Sequence, residues 1–294
     1  MSFPHVERTR QVPAFAGMTA ASTSSTLIMG VMNITPDSFF DGGRIQSPEE
    51  AATRARQLIA DGADILDVGA ESTRPGAEPV SAEAEWARLA PVLEALCAID
   101  SARVSVDTYK AEVARKAISS GASMVNDISG LRGDPAMAET VAEAGCECVI
   151  MHMQGAPKTM QEAPRYDDVV GDIKAFFEER IAYAEAQGIR RERIWIDPGF
   201  GFGKTPPQNL ELIRRLREFK VFGVPILVGT SNKSTIGAVL DVPVHERMEG
   251  TAATVAISIW NGADAVRVHD VKAMARVAKM TDALARVQII SDQL

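Results

Sequence analysis

From Leu27 onward the chain alternates short β-branched runs with longer segments whose apolar residues recur at three- and four-residue spacing, and it does so eight times. The strand-like runs are Leu27–Val31, Asp64–Val68, Arg103–Val106, Met124–Asn126, Cys148–Met151, Ile194–Ile196, Pro225–Val228 and Ala265–Val268. Helical spacing covers Pro48–Ala60, Ala82–Ala98, Ala111–Ser119, Tyr166–Gln187 and Leu210–Phe219 between them, and the seventh connection holds two helices, Ser234–Leu240 and Glu246–Trp260. Eight strand–helix units in one run predict an α/β fold of the closed parallel (β/α)8 (TIM) barrel type, as a single domain over residues 27–294. A doubly wound open sheet would need a glycine-rich first turn, and Val31-Met32-Asn33-Ile34-Thr35-Pro36 is not one.

A short repeat supports the barrel. Gly62-Ala63-Asp64, Gly121-Ala122-Ser123 and Gly262-Ala263-Asp264 each end a helix and start a strand, where glycine suits the left-handed helix cap. Five residues beyond each glycine stand Asp67, Asn126 and Arg267, and other strands end in Asn33, Asp107, His152 and Asp197. One polar strand end is a turn former; seven of eight strands ending so points to the C-terminal rim where barrel active sites are built.

Net charge excludes some partners. At −8 the 294-residue chain does not attract nucleic acid or an anionic membrane as a whole, so an anionic ligand needs a local cationic cluster. No apolar run approaches the roughly 18 residues of a membrane span. Cys97, Cys146 and Cys148 have no histidine or cysteine cluster nearby, and the latter two sit in an apolar run, as buried thiols in a reducing cytoplasm do. Residues 1–26 are rich in Ser, Thr and Ala, lack periodicity and a secretory apolar core, and read as a disordered extension.

Five segments carry the chemistry. The first, Met29 to Gly43, offers Asn33 and Asp37 as oxygen ligands, with Pro36, Gly42 and Gly43 bounding a loop that could cover a substrate. The second, Asp67 to Gly76, presents Arg74 between a hydroxyl and a Pro-Gly turn, suited to bidentate phosphate binding. The third pairs Asp107 with Asn126-Asp127 at adjacent strand ends, where carboxylate and amide can read an aminopyrimidinone, although a metal site or helix caps would use the same residues. In the fourth, Trp195 to Thr205, Pro198 stands where a nucleotide P-loop needs its first glycine. That segment instead brings Asp197 and Phe202 to the rim, with Lys204 as an anion contact. The fifth joins Lys233 and Ser234, at a helix start that favours a carboxylate or phosphate, to Arg267 and His269, which alternate onto one face.

Taken together these segments resemble the dihydropteroate synthase family from about Leu27 to the C-terminus, in order and spacing. The resemblance implies condensation of 6-hydroxymethyl-7,8-dihydropterin pyrophosphate with 4-aminobenzoate, giving dihydropteroate and pyrophosphate in folate biosynthesis. It further implies a cytoplasmic, sulfonamide-targeted transferase that uses Mg2+ and forms a homodimer through its last helices. Carried over by residue, Asp107, Asn126, Met151, Asp197, Phe202 and Lys233 would bind the pterin. Asn33, Arg74, Arg267 and His269 would hold the pyrophosphate, with the metal at Asn33, and Thr73 and Ser234 would contact the aminobenzoate. Asp37, Asp107, Asp197 and Lys233 are the groups it implies for catalysis. A paralogue with altered substrate choice, a non-catalytic pterin binder and a folate–corrinoid methyltransferase are the alternatives.

One residue departs from the pattern. The family reads Ser-Arg-Lys-Ser where this chain has Ser231-Asn232-Lys233-Ser234, removing a positive charge beside the pterin and aminobenzoate sites. Asn232→Arg should therefore lower KM; steady-state kinetics with KM unchanged or raised for both substrates would reject this.

Overall fold

A computed structural model describes residues 25–34, 47–72, 77–155 and 157–285. Residues 1–24 of the expected disordered extension lie outside these, as do Asp37, Thr73 and Arg74. Thr26, assigned to that extension from sequence, already belongs to the barrel. Its N–H and hydroxyl donate to the Asp282 carboxylate at 2.7 and 2.8 Å. Among the described residues no helix is long and apolar enough to cross a membrane.

Eight parallel strands form one sheet: β1 (Leu27–Asn33), β2 (Ile65–Gly69), β3 (Val104–Asp107), β4 (Met124–Asp127), β5 (Glu147–Met151), β6 (Ile194–Asp197), β7 (Leu227–Val228) and β8 (Ala265–Val268). β1 pairs with both β2 and β8, and a parallel bridge from Ile196 to Ile226 joins β6 to β7 and closes the barrel. Nine α-helices lie between and after them among the described residues: α1 (Pro48–Asp61), α2 (Ala82–Cys97), α3 (Ala111–Ser119), α4 (Met137–Ala144), α5 (Val169–Ala186), α6 (Pro206–Arg214), α7 (Ser234–Leu240), α8 (Met248–Trp260) and α9 (Val271–Ala285). β7 is shorter than its apolar run because Pro225 has no N–H and the Ile226 N–H goes to the Asp264 carboxylate at 2.8 Å.

The Gly-Ala-[Asp/Ser] repeat has a distinct task for each position. Gly62, Gly121 and Gly262 take φ of 111°, 111° and 102°. The alanine amide after each closes the same long helix-ending bond, Ala63 to Leu58, Ala122 to Ala117 and Ala263 to Ser258, at 2.9, 3.0 and 2.9 Å. The third residue then pins the preceding strand: Asp64 accepts from Ile28 N–H at 2.9 Å, and Asp264 from Ile226 N–H. Ser123 holds β3 by the opposite bond, its amide donating to Val104 O at 2.9 Å.

Strand alternation sorts the side chains into two regions. Ile28, Met32, Leu66, Val68, Val104, Val106, Ile194 and Ile196 point outward into the main core under the helices. Met29, Ile65, Met124, Val149, Trp195, Leu227 and Ala265 point inward as a separate apolar layer that fills the barrel. Glu147, one pleat below Val149, accepts from Trp195 Nε1 at 3.2 Å and pairs with Arg103, so the barrel floor is sealed by satisfied polar groups.

The cap glycines permit a ranked test. A Cβ at Gly121 would lie 3.0 Å from Cys97 Cβ, whereas one at Gly145, also left-handed, meets nothing within 4 Å. Gly121→Ala should cost roughly 1–3 kcal/mol and lower Tm by roughly 2–4 °C per kcal/mol. Gly145→Ala should cost less; equal or reversed shifts in calorimetry would show that packing at Cys97 plays no part.

Candidate active site

Two residues beyond the apolar layer, on the same inward face, stand Val31, Asp67, Asn126, Met151, Asp197, Gly229 and Arg267. The chemistry of the chain is therefore the layer above its plug. One cleft at this end is lined by Asp107, Asn126, Met151, Asp197, Phe202, Lys233, Arg267 and His269, together with Val31, Ile128, Phe200, Gly229 and Ser231. Eight of the residues expected from sequence thus meet in one place. Asn33 ends β1 at the rim, and Ser234 is exposed at the first residue of α7.

Asp67 is the hub beneath the cleft. It is fully buried, and its carboxylate accepts from Ser105 Oγ at 2.6 Å, Asn126 Nδ2 at 3.1 Å and Arg267 Nε at 2.6 Å. Because a carboxylate only accepts, Asn126 must turn its amide nitrogen down and its oxygen up. That oxygen is buried without a hydrogen-bond partner among the described residues, on a side chain that lines the cleft. Arg267 also donates from Nη2 to Asp107 Oδ2 at 2.8 Å, so one guanidinium ties two carboxylates. Burial would weaken its charge, but Asp67 and Asp107 hold its pKa above the usual value.

Burial shifts Asp107, Asp197 and Lys233. Asp107 is pushed up to about 7, with Arg267 opposing the rise and Asp67 adding to it. Asp197 is raised by burial too, against the Gly199 N–H that donates to it at 2.8 Å. Lys233 is pushed down to about 8 by burial and by Arg267. Its ammonium stands 4.0 Å above the Phe202 ring. His269 reaches Ser231 Oγ from Nδ1 at 3.0 Å, so Ser231 fixes the ring against the cleft.

Three sequence expectations are corrected by strand parity and burial. His152 does not face the rim, because Met151 is the inward residue of β5; it is buried behind the wall, 3.1 Å from Lys204 Nζ. Asp127 likewise turns outward and accepts from the Ser129 and Leu131 amides at 2.7 and 2.9 Å. Lys204 is not an anion contact: it is 2% exposed and is consumed by backbone carbonyls. Asp67 and Ser231 gain their roles from the folded structure. The signal that finds Asp67 is its position two residues after an interior apolar residue. The Asn232 backbone takes φ of 58°, a conformation asparagine tolerates better than arginine does. Its carbonyl accepts from Arg247 at 2.9 Å, so restoring an arginine there carries a conformational cost of its own.

Comparison with known proteins agrees with this geometry. The sequence profile of a family described as pterin binding enzyme matches residues 29–269. A dihydropteroate synthase of Escherichia coli K12 is 46% identical over 269 residues, spanning 92% of this chain and 95% of its own length. The solved dihydropteroate synthase of Yersinia pestis, in a sulfonamide drug complex, superposes with a TM-score of 0.87 at 41% identity, covering 91% of this chain and 97% of that one. That of Xanthomonas albilineans, with 4-aminobenzoic acid, gives 0.83 at 41% identity over 90% of this chain and 95% of its own. The chain belongs to the dihydropteroate synthase family of pterin-binding enzymes.

Proposed function

We propose that the barrel condenses 6-hydroxymethyl-7,8-dihydropterin pyrophosphate with 4-aminobenzoate, releasing 7,8-dihydropteroate and pyrophosphate. The observation that carries this is the paired character of the cleft described above. Acceptors from Asp107, Asn126 Oδ1 and Asp197 line it beside Met151 and Phe202, with Arg267 and His269 in the same wall. An aminopyrimidinone ring offers N–H donors to those acceptors and a ring acceptor to Lys233. The thioether of Met151 and the ring of Phe202 supply apolar surface for its faces.

The bond that breaks is C–O, from the exocyclic carbon to pyrophosphate, and its electrons leave with the phosphate oxygen. The bond that forms is C–N, from the aniline nitrogen to the same carbon, and the nitrogen then loses its proton. Asp107 and Asp197 offset the positive charge that develops on the pterin, while Arg267, His269 and Arg74 stabilise the departing pyrophosphate. An aniline nitrogen is nucleophilic without a strong base, so no proton-abstracting dyad is required. Thr73 and Ser234 would bind the aminobenzoate, the latter at the mouth of the cleft. Asp37, Asn33 and the first loop complete the pyrophosphate side.

Mg2+ belongs to this reading as a companion of the substrate. Among the described residues no three acid, histidine or cysteine side chains cluster as a metal cage. Mg2+ bound with phosphates takes few protein oxygens and fills its octahedron with water and phosphate oxygens. The Asn33 side chain at the rim is a donor of that kind, and the ion would supply charge neutralisation on the leaving group.

A homodimer is proposed from the surface. Val239, Leu240, Ile257, Trp260, Met280 and Leu284 are large apolar residues 46–61% exposed on α7, α8 and α9, and α8 and α9 pack side by side. Three free cysteines, two of them buried, support a reducing cytoplasmic setting. Ile257→Asp with Trp260→Ser should convert a sedimenting dimer to a monomer; a wild type that sediments as a monomer at micromolar concentration removes the dimer.

The function is tested by pyrophosphate release. Release should require both substrates and stop when Mg2+ is chelated; a pterin substrate that binds without release on adding 4-aminobenzoate would leave a non-catalytic binder. Asp107 must be ionised and Lys233 protonated, so kcat/KM for the pterin substrate should fall below pH about 7 as Asp107 gains its proton and above about 8 as Lys233 loses its own. Lys233→Arg, charged at every accessible pH, should abolish the alkaline limb at reduced rate. An alkaline limb that stays in place would refute the assignment to Lys233.

A further inference from the structure

Lys204 and His152 lie behind the cleft, line none of it, and have no place in the chemistry above. The Lys204 ammonium donates to Gly199 O at 2.9 Å and Phe202 O at 2.9 Å, and lies 3.1 Å from His152 Nδ1. Burial, with the charges of Lys204 and Arg132 nearby, pushes the His152 pKa down to about 2, so the ring is neutral and its Nδ1 lone pair can take the third N–H. Burial pushes the Lys204 pKa down to about 7 against the attraction of Asp197; in its charged form the three hydrogens of the ammonium find three acceptors here.

Both carbonyls that Lys204 holds belong to residues whose other groups serve the cleft. The Gly199 amide orients Asp197. The Phe202 ring stands beneath the Lys233 ammonium. The turn between them has no slack: a Cβ at Gly199 would sit 1.9 Å from His152 O, and one at Gly203 2.6 Å from Gln154 O. The His152 N–H donates back to Asp197 O at 2.9 Å, so the strand end and the turn share one brace. A buried ammonium costs several kcal/mol unless it is paired or fully hydrogen-bonded. Here carbonyls and a neutral imidazole meet it, not a bonded carboxylate.

We infer that Lys204, seated on His152, is a positioning residue that sets Asp197 and Phe202 for the pterin. This rests on the pterin reading of the cleft. Removing the ammonium frees the Gly199 and Phe202 carbonyls, and the turn relaxes where it meets the ring. The helix start that carries Ser234 meets this turn through Asn209, whose Nδ2 donates to Lys204 O at 3.2 Å and Thr235 Oγ1 at 2.9 Å, bonds that do not use the ammonium.

The test combines kinetics with amide exchange of the 198–205 segment. Lys204→Met should speed that exchange and raise KM for the pterin pyrophosphate roughly tenfold or more, the scale of a lost charge-assisted hydrogen bond, with KM for 4-aminobenzoate within about twofold. His152→Leu should act in the same direction, while His152→Gln, which keeps an acceptor for the ammonium, should restore most of the pterin affinity. A folded Lys204→Met with unchanged exchange, or with both KM values moving together, overturns the inference. If Lys204→Met does not fold, His152→Leu decides, and an unchanged pterin KM overturns it equally. Absence of turnover in the wild type would instead overturn the reading of the cleft, and exchange alone would then judge the brace.

Discussion

A carboxylate with no access to solvent sits under the cleft, and much of the geometry above it follows from how that charge is satisfied. Asp67 takes hydrogen bonds from Ser105 on β3, Asn126 on β4 and Arg267 on β8. Removing one member of a buried ionic set typically costs 3–5 kcal/mol because the remaining charge is left uncompensated. The ring of strands is thus fixed from inside as well as by its ladders. The same bonds determine what the cleft presents: Asn126 offers an oxygen because its nitrogen is engaged below, and Arg267 is held in plane by Asp67 and Asp107. A substrate meets groups that have already lost their freedom, which is what preorganised electrostatic binding requires.

The barrel can carry such a charge because its lower half is closed. The layer of Met29, Ile65, Met124, Val149, Trp195, Leu227 and Ala265 excludes water from below, and the polar layer begins one pleat above it. The dielectric is therefore low on one side only. That asymmetry raises Asp107 and Asp197 and lowers Lys233 without a special device at each. Outside the wall the same economy holds, since Lys204 and Arg180 are buried on backbone carbonyls of the turns they support.

What could be read from the sequence depended on whether a local pattern or a register carried the information. β8 was legible to the residue, and β6 missed only Asp197, because apolar runs bounded by cap glycines are local signals. α6 was misplaced. Thr205 and Gln208 form a capping box that starts the helix at Pro206, four residues before the apolar spacing begins, and the spacing continues into a 3-10 segment, Leu216–Phe222, after the α-helix has ended. Polarity alone points His152 to the rim, whereas its parity against Val149 and Met151 sends it outward. The role of Asp67 emerges only from the register of three other strands, β3, β4 and β8. Lys204 looked like an anion ligand because a sequence shows a charge and not the carbonyls folded around it.

The charges of the described cleft also explain why the first two loops matter to the proposed reaction. Asp107 and Asp197 face Lys233 and Arg267 across the lining, two against two, and Asp67 beneath adds a further negative charge, so the sum is near −1 with all five ionised. Such a cleft suits a neutral ring with N–H donors, and suits the cation that ring becomes. It does not by itself suit pyrophosphate, whose attraction to Arg267 is offset by the two carboxylates already bonded there. Arg267 is therefore not sufficient for the leaving group, and further positive charge has to come from outside this set. Arg74 on the second loop and a divalent ion carried in with the phosphates are the sources at hand. On this reading the pterin half of the site is built into the barrel before substrate arrives, and the pyrophosphate half is completed by the loops and the substrate's own counter-ion.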